Sequence, residues 1–429
     1  MQRRTFVTGL GLAGLALTTA CAKGGQDSDG DTSKVTAETE ASLTLFYWDK
    51  NQTKTVEENL KRFKEKYPKI KVTTNLAGYQ DYWKKLRTQA QGDELPDVFW
   101  MNGPNIQLYA GNDMLEPLDD VTELGIDWGN YPEALVDLYT FDEKHYGIPK
   151  DFDTIACWYN KKIFEQAGVE LPQSGWTWDD FHEAAKTISD WGKSKEIYGG
   201  VLGFAENQST YYNTIPQAGG HFLKDNKSGF DDPKSVKGLK VIADWVADGS
   251  IAPVDVVTDL KAVNMFKTGK TAMLWCGDWF LSDFIETFKG KESDYDVIEL
   301  PKDEKQATVI HGLSWAVSQK SANKAAAKVL AAWMGSKESA ETEAKNGTAI
   351  PAFNDTQDAW VQSAPTWNLQ VHIDAADYAV PYPVSKNTTA WEDRQNDFLL
   401  PAFSGEKDVD EAASEYATFM NEALAKEQG

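Results

Sequence analysis

Ser42-Leu-Thr-Leu-Phe-Tyr-Trp48 opens the stretch 42–100, and the order of segments along that stretch sets the fold class. Next comes an amphipathic segment with Val56, Leu60 and Phe63 on one side and Pro68 after its end, then Lys69-Ile-Lys-Val-Thr-Thr74. The first run is apolar on both faces, as a strand buried inside a parallel sheet is. The middle segment has helical spacing and a proline stop. Tyr79 to Gln91 reads as a second helix and Asp97-Val-Phe-Trp100 as a third strand. Strand, helix and strand alternating at this distance predict a parallel sheet with right-handed crossovers.

The pattern then restarts. Tyr146-Gly-Ile-Pro149 leads into Thr154-Ile-Ala-Cys-Trp-Tyr159, with helical segments at 161–167 and 178–191. Strands are predicted at 271–275, 295–300 and 313–317, and helices at 322–335 and 409–427. Two α/β lobes with chain crossings near 150 and 311 account for this order. The division places 42–150 plus 312–365 in lobe 1 and 151–311 plus 366–429 in lobe 2.

The chain of 429 residues is long enough for two domains with separate cores. Its net charge of −23, from 66 acids against 43 bases, repels nucleic acid and anionic headgroups. The 16 Trp supply a surplus of flat amphipathic rings, which suits a stacking ligand. Past the N-terminal segment no run reaches membrane-spanning length.

The N-terminus carries Met1-Gln-Arg-Arg, an apolar run from Phe6 to Ala20, and Cys21. This reads as an export signal rather than a span. Leu17-Thr-Thr-Ala-Cys21 resembles a bacterial lipobox, although Thr18 stands where Leu is usual, so 1–21 is predicted to be a lipoprotein signal with lipid attached to Cys21. Arg3-Arg4 fits either a twin-arginine signal or an ordinary charged start. Gly9-Leu-Gly11-Leu-Ala-Gly14 matches a dinucleotide fingerprint, but no strand precedes it and cleavage removes it. Residues 22–41, polar and nearly free of apolar side chains, are expected to form a flexible tether.

Seven phrases stand in order along the rest of the chain: 63–72 (Phe-Lys-Glu-Lys-Tyr-Pro-Lys-Ile-Lys-Val), 95–101 (Leu-Pro-Asp-Val-Phe-Trp-Met), 146–154 (Tyr-Gly-Ile-Pro-Lys-Asp-Phe-Asp-Thr), 158–168 (Trp-Tyr-Asn-Lys-Lys-Ile-Phe-Glu-Gln-Ala-Gly), 176–181 (Trp-Thr-Trp-Asp-Asp-Phe), 269–273 (Gly-Lys-Thr-Ala-Met) and 277–279 (Gly-Asp-Trp). Together they resemble the extracellular solute-binding proteins of carbohydrate ABC importers, the broad group of maltose-binding protein. The resemblance covers about 42 to 427. It implies a two-lobed periplasmic-binding-protein-like fold (type II) that closes on a sugar, expected to be an oligosaccharide, and then docks on permease subunits. It also implies a monomer held to the outer face of the cell membrane through lipid alone, with no cofactor and no enzymatic reaction.

A sugar site needs aromatic faces for its C–H patches and charged or amide groups for its hydroxyls. Such groups are sought just past strand ends, where open α/β sheets place ligands. Trp48 and Asp49 follow the first strand and Asn102 the third. Asp151 and Asp153 flank the first crossing, Asp278 and Trp279 follow the strand at 271–275, and Trp315 lies at the second crossing. In the last third, Tyr378, Tyr382, Trp391 and Arg394 resemble the aromatic and basic wall that maltose-binding protein carries near its C-terminus. Three other readings use the same residues differently: a glycosidase built on Asp151 and Asp153, a surface adhesin without transport, and the same fold carrying a non-sugar solute. No metal-ligating or nucleophile motif accompanies them.

Overall fold

The computed structural model describes residues 31–204 and 206–427. One ten-stranded sheet system runs through the molecule. Its strands are β1 (Ala41–Tyr47), β2 (Ile70–Leu76), β3 (Val98–Asn102), β4 (Ile148–Asn160), β5 (Tyr198–Val201), β6 (Thr271–Gly277), β7 (Tyr295–Glu299), β8 (Thr308–Val317), β9 (Ile350–Pro351) and β10 (Ala379–Pro381). The main path is β2-β1-β3-β8-β4-β6-β5, with β7 and β9 pairing β4 and β10 pairing β8.

β1 pairs in parallel with β2 and β3, and β5 with β6, as the alternating pattern requires. The two long strands break that rule. β8 runs antiparallel to β3 and to β4, and β4 runs antiparallel to β6. β4 is buried along all 13 residues and joins β9 and β8 at one end to β6 and β7 at the other. Its register with β8 shifts between Leu313 and Ser314, so the ladder is interrupted where the two halves meet. These long strands cover the positions near 150 and 311 where crossings are expected.

Helices cover the sheet faces, among them α1 (Thr53–Lys66), α2 (Tyr79–Gln91), α3 (Gly103–Gly111), α4 (Trp178–Gly192), α5 (Lys324–Gly335), α6 (Lys337–Lys345), α7 (Thr389–Glu392) and α8 (Val409–Lys426). α1 buries Val56 and Phe63 on the predicted stripe. α4 starts at a reciprocal capping box between Thr177 and Asp180.

The tether expected over 22–41 is shorter than that. Thr32–Lys34 form a 3₁₀ turn capped by Asp31, whose carboxylate accepts the Ser33 N–H at 3.1 Å. Thr32 is buried and Val35 packs on the core, and Ala41 already belongs to β1. Two small contacts suffice to dock a segment whose composition reads as solvated. The export signal, Cys21 and residues 22–30 lie outside the described residues. Among the described residues no helix is long and apolar enough to cross a membrane. Cys157 and Cys276 are buried and free.

Candidate functional site

The C-terminal ends of strands from both halves converge on the crossing strands. Asn102, last in β3, lies opposite Leu313, and Gly277, last in β6, lies opposite Ile155. Ligands of open α/β sheets sit at such ends.

One wall belongs to β1 and α2. Trp48, half-buried, meets Tyr79, Tyr82 and Trp100 edge-on with ring centroids 5.5, 4.9 and 4.9 Å apart. Tyr82 is anchored by donating to the Trp100 carbonyl at 2.6 Å. Tyr79 is held more loosely, through ring contacts with Trp48 and Trp83, and 53 % of it is exposed. Its phenol is pushed up by the protein around it and by Glu392, with Trp83 acting against that shift.

The floor is the hinge itself. Asp151 holds Lys150 Nζ at 2.6 Å through one oxygen and accepts the Leu313 N–H at 2.8 Å through the other. Lys150 also pairs with Glu343 of α6, and its ammonium lies 5.1 Å from the centre of the Trp100 ring. All three charged groups are buried. Lys150 is therefore held as a cation by two carboxylates. Asp153, the next residue on that face of β4, accepts from Gln208 Nε2, and its other oxygen lies 3.7 Å from His311 Nδ1. Burial raises the Asp153 carboxyl. His311 accepts the Gly103 N–H at Nε2 (3.1 Å), which leaves the proton of a neutral ring on Nδ1, towards Asp153.

The second wall comes from 206–208 and α7. Tyr382 donates to Glu392, which also accepts from Asn207 Nδ2 at 3.3 Å, and its ring lies 4.8 Å from that of His311. Burial, opposed by these donors, raises Glu392 to about 7. The result is a gap with aromatic faces on one side and carboxylates, amides and a phenol on the other. That combination presents C–H-matching surface and many acceptors to one polyhydroxylated molecule.

The family of bacterial extracellular solute-binding proteins matches residues 48–341 of this chain. The chain belongs to this family. Its relatives include a diacetylchitobiose-binding protein of Streptomyces coelicolor, 26 % identical over 447 residues that span 100 % of both chains. A galactooligosaccharide-binding protein of Bacillus subtilis is 25 % identical over 75 % of each. Among solved structures, an ABC substrate-binding protein of Listeria monocytogenes in complex with cycloalternan superposes with a TM-score of 0.83. It is 25 % identical, with 90 % of this chain and 100 % of that one covered. The resemblance read from the seven phrases and the two-lobed fold agree with these relatives. The family consists of binding proteins that act outside the cell.

Of the residues singled out in the sequence of this solute-binding protein, Trp48, Asp49, Asp151, Asp153 and Tyr382 meet at the hinge and its walls. Asp49 accepts the Asn51 N–H at 2.9 Å and is raised chiefly by burial. Asn102 is buried there too, with its side-chain oxygen accepting from Asn105 at 2.8 Å. Trp279 is half-buried and lies against Gly277, where an added Cβ would fall 1.8 Å from the ring.

Five expectations change. Asp278 has no exposed surface, and its two oxygens accept the N–H groups of Thr154 (3.2 Å) and Ile350 (3.1 Å), so it ties β6 to β4 and β9. Trp315 packs on Trp100 at 6.0 Å with 1 % exposed. Trp391 is fully buried and donates to Ser385 Oγ at 2.9 Å. Arg394 points to the surface, where it pairs with Asp397 and covers Phe419. Tyr378 lines a separate groove of about 620 Å³ with Tyr159, Glu299 and Gln306, away from the hinge. Each is spent on packing or on a surface outside the gap. The groups that take their place, Tyr79, Glu206, Asn207, Gln208, His311 and Glu392, adjoin aromatic or hinge phrases. Only Glu392, one residue from Trp391, had a usable signal. Among the described residues no group of His, Cys, Asp and Glu is placed to hold a metal ion.

Proposed function

We propose that this chain is the sugar-capturing subunit of an ABC importer, binding an oligosaccharide between Trp48 and Tyr79 on one lobe and Tyr382, Glu392 and Asp153 on the other. Lobe 1 comprises 42–150 plus 312–365 and lobe 2 comprises 151–311 plus 366–429. The observation that carries the reading is Tyr79: an exposed ring, braced by Trp48 just past the end of β1. The names of the relatives, which bind diacetylchitobiose and galactooligosaccharides, support the ligand class.

The hinge supplies the mechanism. Rotation about β4 and β8 brings the walls together, removes water from the ligand and strengthens each carboxylate–hydroxyl bond. A closed, loaded form then presents both lobes to the permease. The protein performs no chemistry on the sugar. Asp151 is saturated by Lys150 and the Leu313 N–H, so the pair Asp151 and Asp153 lacks the second free carboxyl that a glycosidase needs. Lipid on Cys21 and the short tether keep the trap near its permease and raise the concentration the permease meets.

A melting screen over gluco-, galacto-, arabino- and chito-oligosaccharides tests the reading. Ligand at 100 times its Kd adds about 2.7 kcal/mol, a rise of several degrees, and the sugar should be recovered intact. A response confined to amino acids, polyamines or phosphate esters overturns the ligand class. Turnover of the sugar overturns the absence of catalysis.

A further inference from the structure

Behind the wall of Tyr382 and Glu392 lies a buried amide. Gln395, 1 % exposed, is the first residue of the helix Gln395–Phe403. Its Oε1 accepts from Asn207 Nδ2 and from the Tyr211 hydroxyl, each at 2.7 Å, and its Nε2 donates to the Tyr212 hydroxyl at 2.7 Å. Tyr211 and Tyr212 are buried, and their rings meet edge-on with centroids 5.4 Å apart. The amide is therefore clamped at both ends by groups that belong to the core.

The directions of these bonds are forced. Asn207 Oδ1 accepts the Gln208 N–H at 3.1 Å, and its Nδ2 lies between Gln395 Oε1 at 2.7 Å and Glu392 Oε1 at 3.3 Å. A carboxylate only accepts, so the nitrogen of Asn207 has to face Glu392. Its other proton needs an acceptor, and the oxygen end of Gln395 supplies it. Turning Gln395 over would set two N–H groups against each other. Glu392 is where the chain of bonds ends. Tyr382 and Asn207 both donate to its Oε1. Among the described residues no group bonds its Oε2, and the residue is half-buried. One oxygen is fixed by the protein and the other is left to accept a hydroxyl. Asn207 itself sits in a single 3₁₀ turn, Asn207–Ser209, so its aim depends on what holds its side chain.

We infer that Gln395 is a positioning residue for sugar capture: through Asn207 it holds Glu392 with Oε2 free for the ligand, and it touches no ligand itself. The inference rests on the saccharide reading of the site and adds a residue behind the wall on which affinity depends. A carboxylate already held in its bound geometry gives up little rotamer freedom when a hydroxyl arrives. Without Gln395 that ordering falls on the binding step, and Asn207 is left to turn away from Glu392.

A double-mutant cycle of Gln395→Met and Glu392→Ala tests this, read by calorimetry with the tightest binder of the gluco-, galacto-, arabino- and chito-oligosaccharide series. Gln395→Met alone should weaken Kd about tenfold or more, the effect of one hydrogen bond to a charged group. In the Glu392→Ala background the same substitution should change Kd by less than about twofold. Tyr211→Phe takes another donor from Gln395 Oε1 but leaves Asn207 its partner, so it should lower the melting temperature and hold Kd within about twofold. Gln395→Asn keeps the amide but draws it back by one methylene, and it carries the same cycle where the methionine variant does not fold. A Kd in Gln395→Met within about twofold of the parent, or equal losses with and without Glu392, overturns the inference and leaves the saccharide reading intact. A loss in Tyr211→Phe as large as in Gln395→Met overturns it too, because the site would then respond to any loosening of this core. If no oligosaccharide of the series binds, the saccharide reading fails and this inference with it.

Discussion

Replacing Tyr79 by alanine removes a ring that the fold barely uses. A tyrosine offers about 200 Å² of side-chain surface, and with 53 % exposed about half of that stands free in the gap. A sugar that covers one or both free faces hides about 50–100 Å². At about 25 cal/mol per Å² this contributes about 1 to 2.5 kcal/mol, a five- to seventyfold weakening of Kd when the ring is lost. The ring's links to the fold are an edge contact with Trp48 and a wider one with Trp83 at 6.4 Å, so stability should change by under about 1 kcal/mol. Titration calorimetry with the sugar found by screening gives Kd, and the melting temperature of the free protein gives the control. Affinity within twofold of the parent refutes the placement of the ligand against this wall. A weakened affinity with a collapsed melting temperature also refutes it, because the ring would then be structural.

Three further outcomes are expected at the hinge and its surroundings. His372 is buried beside Thr154, and desolvation lowers it to about 4. The unfolded chain therefore takes up the proton first, and as pH falls from about 6.5 to about 4 up to about 3 kcal/mol of stability should drain away. Denaturant midpoints across that window should show the slope, and His372→Leu should flatten it; an equal slope in the variant contradicts the assignment. Lys150→Met leaves Asp151 and Glu343 buried without their cation and should cost about 3–5 kcal/mol, visible as a fall in melting temperature of at least about 6 °C. A fall of under about 2 °C would mean that the triad is solvated. Gly277→Ala forces the Trp279 ring off its seat, because the new Cβ falls 1.8 Å from it. Tryptophan fluorescence should shift in the free protein, and an unchanged spectrum contradicts the packing of that ring.

The fold was legible because each strand and helix repeats at its own period and in alternating order. β1 with its two apolar faces, the α1 stripe of Val56 and Phe63, and the proline after it all agree with the structure. The antiparallel passage of β4 and β8 was not legible, since a chain that crosses between lobes carries no sign of direction in its composition. The site was legible only in part, and the reason is phase. The short helix α7 buries Trp391, and the same turn that points the indole inward leaves Glu392 bonded to Tyr382 and Asn207 at the candidate site. Choosing the bulky residues of that phrase selects the face that packs rather than the face that binds. Asp278 illustrates the same limit at a strand end: its position matches a ligand contact, but two backbone N–H groups, 124 and 72 residues away in sequence, claim its oxygens first. Tyr79 could not be told from Tyr82 and Trp83 because nothing in the sequence tells an exposed aromatic from a buried one a few helical positions further on.

A crystal structure of the protein with the tightest-binding oligosaccharide tests the central claim most directly. The claim predicts a sugar ring lying on Tyr79 or Trp48, hydroxyls donating to Glu392 and Asp153, and the two lobes rotated towards each other about β4 and β8. A sugar bound instead in the groove at Tyr378, or between lobes that have not moved, would contradict it.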